Sequence, residues 1–321
     1  MTTLEAIQAA HELVGDQCLR TPVLTLDPSD PEALLLKAES LQPTGAFKLR
    51  GATNAILHLK DAERRHGVIT HSSGNHGQAV AAAAAAAGIA ATIVMPDDAP
   101  MVKIESTRRW GAEVVLVPAG DREAHCRQLS QRNQARLIPP FDDENVIAGQ
   151  GTIGIEILEQ VTQPLDTVLV PVGGGGLISG IAVAVKSLSP TTRVIGVEPE
   201  LAGDLAESFR QGYCIPWTLA RTSRTIADGV RSPCVGKLNW ALIQGYVDDV
   251  VTVTEADIVR SLHAVVAGTR LVVEPSGAVA PAAYLFGGGW ERYGRTVAIV
   301  SGGNVDPSTL AELLNGAGES T

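Results

Sequence analysis

The chain has 321 residues, 45% of them hydrophobic and 19% charged, a balance that provides a buried core and excludes a disordered chain. Its net charge is −10 with no Lys/Arg-rich run to offset it, which argues against a nucleic-acid partner and against an anionic membrane surface. The four cysteines (Cys18, Cys126, Cys214 and Cys234) show no CxxC and no regular spacing, so free thiols in a reducing cytoplasm are expected, with neither a disulfide framework nor a zinc site.

In chain order, residues 1–13 carry Glu5 and Glu12 without an apolar core, so this segment is not read as a signal peptide. Leu34-Leu35-Leu36 predicts a strand. The stretch Pro43-Thr44-Gly45-Ala46-Phe47-Lys48-Leu49-Arg50-Gly51 then sets Lys48 among glycines and apolar residues where a helix pattern begins. A desolvated lysine sheds its proton readily and becomes nucleophilic, although a lone lysine is ordinarily a solvated surface charge. Val68-Ile69-Thr70 predicts the next strand, followed by Ser72-Ser73-Gly74-Asn75-His76-Gly77 at a strand-to-helix turn. Small hydroxyls and amides there suit an anion, but the same residue types also cap helices.

Residues 79–95 carry no charge, and residues 81–87 are all alanine. The length approaches a membrane span, yet alanine is weakly apolar and Gly88 divides the stretch, which predicts a buried helix and then a strand at Thr92-Ile93-Val94. Further strands are predicted at residues 114–117, 168–172, 194–197, 250–253 and 297–300, with helical patterns between them at 153–161 and 178–188. Alternation of this kind implies an α/β protein with mostly parallel sheet, whose ligands sit beyond the carboxyl ends of strands.

Gly173, Gly174, Gly175 and Gly176 directly follow one such strand and open a helix pattern. A tight turn does not require four glycines in a row. Backbone amides turned into one space at a helix N-terminus make a phosphate cradle. Glu198, about twenty residues on at the end of the next strand, stands where a dinucleotide fold keeps its ribose-binding acid. The glycines alone therefore leave a nicotinamide enzyme open, although the pattern is not GxGxxG. Ser301-Gly302-Gly303-Asn304 follows the last strand and supplies a hydroxyl in an equivalent place.

Taken together, the stretches PTGAFKLRGATNA, HSSGNHGQAVA, VIAGQGTIGIEI, PVGGGGLISGI, TIADGV and SGGNVD resemble those of the fold-type-II pyridoxal-phosphate enzymes, specifically the serine/threonine dehydratase and serine racemase group. They run from residue 43 to residue 306 in the family's order. The resemblance implies a tryptophan synthase β-like α/β fold of two open, twisted, mostly parallel sheets flanked by helices. It further implies a large cofactor-binding domain over residues 1–50 and 145–321 and a small mobile domain over 51–144, in a homodimer.

The roles it implies follow residue by residue. Lys48, beside Phe47, would join pyridoxal phosphate covalently and later remove the α-proton. Asn75 would hydrogen-bond the cofactor's 3-hydroxyl, Gly173 to Gly176 and Leu177 would hold its phosphate, and Ser301 would face the pyridine nitrogen. Ser72, Ser73, Gly74, Asn75 and His76 would receive the carboxylate of a small amino-acid substrate, and Ser73 matches the second acid/base of the racemases. Glu198, the carbonyl of Ala202 and Asp204 match a divalent-cation site suited to Mg²⁺, Ca²⁺ or Mn²⁺, with no thiol expected nearby to favour zinc.

The activity implied is α,β-elimination from an L-threonine- or L-serine-type substrate, giving an enamine that hydrolyses to a 2-keto acid and ammonia. Serine racemase and threo-3-hydroxyaspartate dehydratase are the alternatives within the family. Many members have Ser where Ala46 stands, whereas hydroxyaspartate-directed relatives also carry Ala there, so this position touches substrate choice. The short stretch after Asn304 leaves no room for a regulatory domain, so a catabolic role is expected.

Overall fold

The computed structural model describes residues 1–30, 32–72, 74–99 and 101–316. Among the described residues there are ten strands: β1 (Val23–Thr25), β2 (Leu35–Ala38), β3 (Val68–His71), β4 (Ala91–Pro96), β5 (Glu113–Val117), β6 (Arg136–Leu137), β7 (Thr167–Pro171), β8 (Arg193–Pro199), β9 (Asp249–Val253) and β10 (Thr296–Val300). They form a six-stranded sheet in the order β1-β2-β10-β7-β8-β9 and a four-stranded sheet in the order β5-β4-β3-β6. All pairings are parallel except β1 with β2. The strands of the second sheet all fall between residues 68 and 137, and those of the first lie wholly outside residues 51–144.

Every residue of β7 and β10 is buried, as expected for central parallel strands covered by helices on both faces. Those are the β-branched runs that announce themselves in the sequence. β1 and β6 do not. One has three residues and the other is the dipeptide Arg136-Leu137, too short for any period.

The alanine-rich segment is the helix Asn75–Ala86, with Ala79, Val80, Ala81, Ala82, Ala83 and Ala84 buried. Its small side chains pack beside Leu49, Ala52, Ala55 and Ile56 of the helix Lys48–Leu57 in one core cluster. Among the described residues, no helix is long and apolar enough to cross a membrane.

The helix that begins at Lys48 is fixed from below by a buried ionic network. Arg50 reaches Glu39 at 2.8 Å and Glu156 at 2.6 Å, and Lys37 reaches Glu156 at 2.5 Å, all four side chains being at most 4% exposed. Two cations balance two carboxylates. Burial acts to raise the Glu39 carboxyl, but Arg50, Lys37 and the Thr21 hydroxyl together hold Glu39 low. Removing one member would leave an unpaired buried charge, which makes the network a rigid seat for the first turn of the helix.

Candidate active site

Lys48 is the first residue of its helix, and its Nζ donates to the carbonyl of Pro140 at 2.7 Å. Burial disfavours the ammonium and lowers its pKa to about 8. The Phe47 ring lies alongside, with its centroid 5.1 Å from Nζ. Phe47 N donates to Ser301 O at 3.0 Å, Gly303 N donates to Gly45 O at 2.9 Å, and Ala46 bridges Gly302. The Lys48 loop is thereby stitched to the loop after β10. Gly45 adopts φ +73°, and a Cβ there would sit 2.3 Å from Asn304 Oδ1, so only glycine makes this turn.

Across the site, Asn75 opens the alanine helix. Its Nδ2 donates to Glu274 Oε1 at 2.7 Å, and its Oδ1 accepts from Asn304 Nδ2 at 2.8 Å. Glu274 was no part of the sequence expectation. Burial, with the charge of Asp228 added, pushes its carboxyl up to about 8.

Nearby, Ser72 Oγ accepts the Gly74 amide at 3.1 Å, folding the turn that starts the helix. Ser73, expected as the second acid/base, lies outside the described residues. The His76 ring is 3% exposed, and its Nε2 lies 3.0 Å from the Ile138 carbonyl, so that nitrogen carries the proton. Burial, with Lys48 adding repulsion, holds its pKa down at about 3. A ring committed to Ile138 leaves the His76 backbone, at the helix N-terminus, as the group suited to a carboxylate.

Gly173, Gly174, Gly175 and Gly176 follow β7 and open the helix Gly176–Leu188, with Leu177 buried in its first turn. Among the described residues, the amides of Gly173, Gly174 and Gly175 donate to no protein acceptor. A Cβ at Gly174 would lie 2.0 Å from the Phe141 ring, and Gly175 has φ +91°. The walls of the loop thus demand glycine while its amides stay free. Ser301, 4% exposed, ends this arc with its Oγ 3.3 Å from the Ser276 carbonyl.

A primary amine poised near neutrality, unspent amides at a helix N-terminus, a carboxamide donor and a neutral hydroxyl suit a phosphorylated, carbonyl-bearing aromatic cofactor.

A second cluster lies at the end of β8. Glu198 is fully buried and accepts the amides of Leu205 and Ala206 at 3.2 and 2.7 Å, which leaves it turned toward the protein rather than toward a ribose. Burial, then the neighbouring Asp204 charge, push Glu198 well above the carboxylate range, and burial carries Asp204 up to about 7. Both carboxylates are buried here, and Ala202 is fully buried between them in sequence. Burial, with the charge of Asp204 adding to it, raises the thiols of Cys214 and Cys234. Twenty residues separate them in sequence, so spacing gave no sign that one charge acts on both. Among the described residues, no three His, Cys, Asp or Glu side chains converge on one metal position. A cation held here would need carbonyl and water oxygens as well.

Residues 14–302 match the family model described as pyridoxal-phosphate dependent enzyme. The chain is 43% identical over 313 residues to the L-threo-3-hydroxyaspartate ammonia-lyase of Saccharomyces cerevisiae, covering 96% of this chain and 94% of that protein. It is 44% identical over 285 residues to the catabolic L-threonine dehydratase of Escherichia coli, covering 87% of this chain and 85% of that protein. Among solved structures, the serine racemase of Dictyostelium discoideum superposes with a TM-score of 0.88 at 40% identity, covering 95% of this chain and 99% of that one. The nicotinamide alternative is set aside by these matches. From its glycine loop to its lysine, the chain belongs to the family of pyridoxal-phosphate-dependent enzymes that includes the ammonia-lyases and racemases of small amino acids.

Proposed function

We propose that the protein is an ammonia-lyase that converts a small L-β-hydroxy amino acid, of the L-threonine or L-serine type, to a 2-keto acid and ammonia by α,β-elimination. The observation that carries this reading is Lys48: an amine with a pKa of about 8, held on the Pro140 carbonyl next to Phe141, whose ring packs on Gly174, and in a loop that Asn304 joins to Asn75. Pyridoxal phosphate, when bound, supplies the electron sink that acidifies the α-carbon. Lys48 is the group to anchor the cofactor and then to take the α-proton, which is lost with the β-hydroxyl as water, since an amine of this pKa exchanges protons near neutrality. The amides of Gly173 to Gly176 and Leu177 hold the phosphate, Asn75 holds the ring oxygen, and the amides that begin the alanine helix receive the substrate carboxylate. Ser301 is neutral and leaves the ring nitrogen without a counter-charge, which favours prompt loss of the β-hydroxyl over a long-lived carbanion.

Elimination from L-threo-3-hydroxyaspartate is the second reading, supported by the yeast relative and by Ala46, which is fully buried against Gly302 and leaves a smaller side chain before the Phe47-Lys48 pair. Our proposal also includes a divalent cation on Glu198, Ala202 and Asp204, closure of the unit over residues 51–144 on the substrate, and assembly as a homodimer. The test is one panel: L-serine, L-threonine and L-threo-3-hydroxyaspartate, with keto acid, ammonia and D-serine measured together. Keto acid and ammonia in equal amounts support the lyase, and the best substrate chooses between the two readings. D-serine as the principal product from L-serine would replace both with a racemase.

A further inference from the structure

Glu274 occupies the N-cap position of the helix Pro275–Phe286, yet its side chain does not cap that helix. It reaches instead to Asn75, 199 residues away in sequence, at 2.7 Å. Room for this contact is made by Gly302, where a Cβ would lie 2.3 Å from Glu274 Oε1.

The polarity of the chain of amides can be read without ambiguity from its far end. The Thr44 carbonyl can only accept, so the Asn304 group 2.7 Å from it is the nitrogen. That same nitrogen donates to Asn75 at 2.8 Å, which spends both its hydrogens and fixes the Asn75 oxygen toward Asn304. The Asn75 nitrogen therefore faces Glu274, which takes one hydrogen and leaves the other for a ligand. Burial and the charge of Asp228 favour a protonated Glu274, with Lys103 opposing; a neutral carboxyl still offers Asn75 its carbonyl oxygen.

We infer that Glu274 is a positioning residue that locks the Asn75 carboxamide, so that Asn75 meets the cofactor only as a hydrogen-bond donor. This rests on the reading that Asn75 holds the cofactor's ring oxygen. It predicts that the acceptor at position 274 matters and its charge does not.

The experiment compares Glu274→Met, which fills the space without an acceptor, with Glu274→Gln, which keeps one, and with Asn75→Ala. Pyridoxal phosphate affinity and the visible absorption band of the bound cofactor are the readouts, with thermal melting of each apoprotein to confirm folding. Glu274→Met is expected to weaken cofactor binding about tenfold and displace the band, and Glu274→Gln to stay within about twofold of the parent. Glu274→Ala replaces the Met variant if that one does not fold. Parent-like affinity and band in Glu274→Met, beside a weakened Asn75→Ala, would overturn the inference and leave the reading of Asn75 standing. Glu274→Gln as impaired as Glu274→Met would overturn it too, since the acceptor would then be irrelevant. An unaffected Asn75→Ala would remove the underlying reading along with the inference.

Discussion

At the scale of single residues, the chemistry depends on how each environment treats one functional group. Lys48→Ala removes both the anchor and the base, so turnover should fall by roughly 10³-fold or more in a steady-state assay. Appreciable residual activity would assign the proton to another residue. Ser301→Asp should put a carboxylate where a neutral hydroxyl now sits and favour protonation of the ring nitrogen. We expect slower elimination and more transamination side product by product analysis; an unchanged product ratio would show that Ser301 does not face the ring. Lys48, Asn75 and Ser301 could each be singled out as candidates from the sequence, because each stands inside a local motif. Glu274 was not legible. It is a single acid before a Pro-Ser-Gly stretch, and its partner is brought to it only by the meeting of two sheets.

At the scale of elements, the strand-to-helix turns do the positioning, and the strands other than β1 and β6 were readable as apolar runs. The turn after β8 behaves differently from the rest, because it buries Glu198 and Asp204 and, among the described residues, neither forms an ion pair. Asp204 binds its proton more tightly folded, at a pKa of about 7, than it does unfolded. The unfolded chain releases that proton first, so this group's contribution to stability is lost as pH rises from about 4 through about 7. Cation-free protein should accordingly melt lower at pH 8 than at pH 5.5, Mg²⁺ should narrow the gap, and Asp204→Asn should be insensitive to both Mg²⁺ and EDTA. A parent melting temperature that ignores EDTA at pH 8 would remove the cation from the account. The thiol pair beside this turn could not be read from the sequence, since Cys214 and Cys234 meet through a fold in the chain: Trp217 N donates to Pro233 O at 2.7 Å.

At the scale of the whole molecule, among the described residues two ion pairs join residues 51–144 to the rest of the chain, Met1 with Glu144 and Lys103 with Asp228. Lys103, from the helix Met101–Arg109, reaches Asp228 at 3.0 Å. The two side chains are 31% and 44% exposed, so solvent screens the pair and its worth is about 1 kcal/mol or less. Lys103→Ala should therefore lower kcat/KM by about two- to fivefold at low salt, and the difference from the parent should shrink as salt is added. A loss that persists at high salt would give Lys103 a role other than its ion pair with Asp228. The central claim is that Lys48 carries the cofactor in a working ammonia-lyase. Its most direct test is borohydride reduction of the protein incubated with pyridoxal phosphate, followed by peptide mapping. The account predicts a single reduced adduct on Lys48, formed in step with the loss of keto-acid production; an adduct on another lysine, or full activity after complete labelling of Lys48, would contradict it.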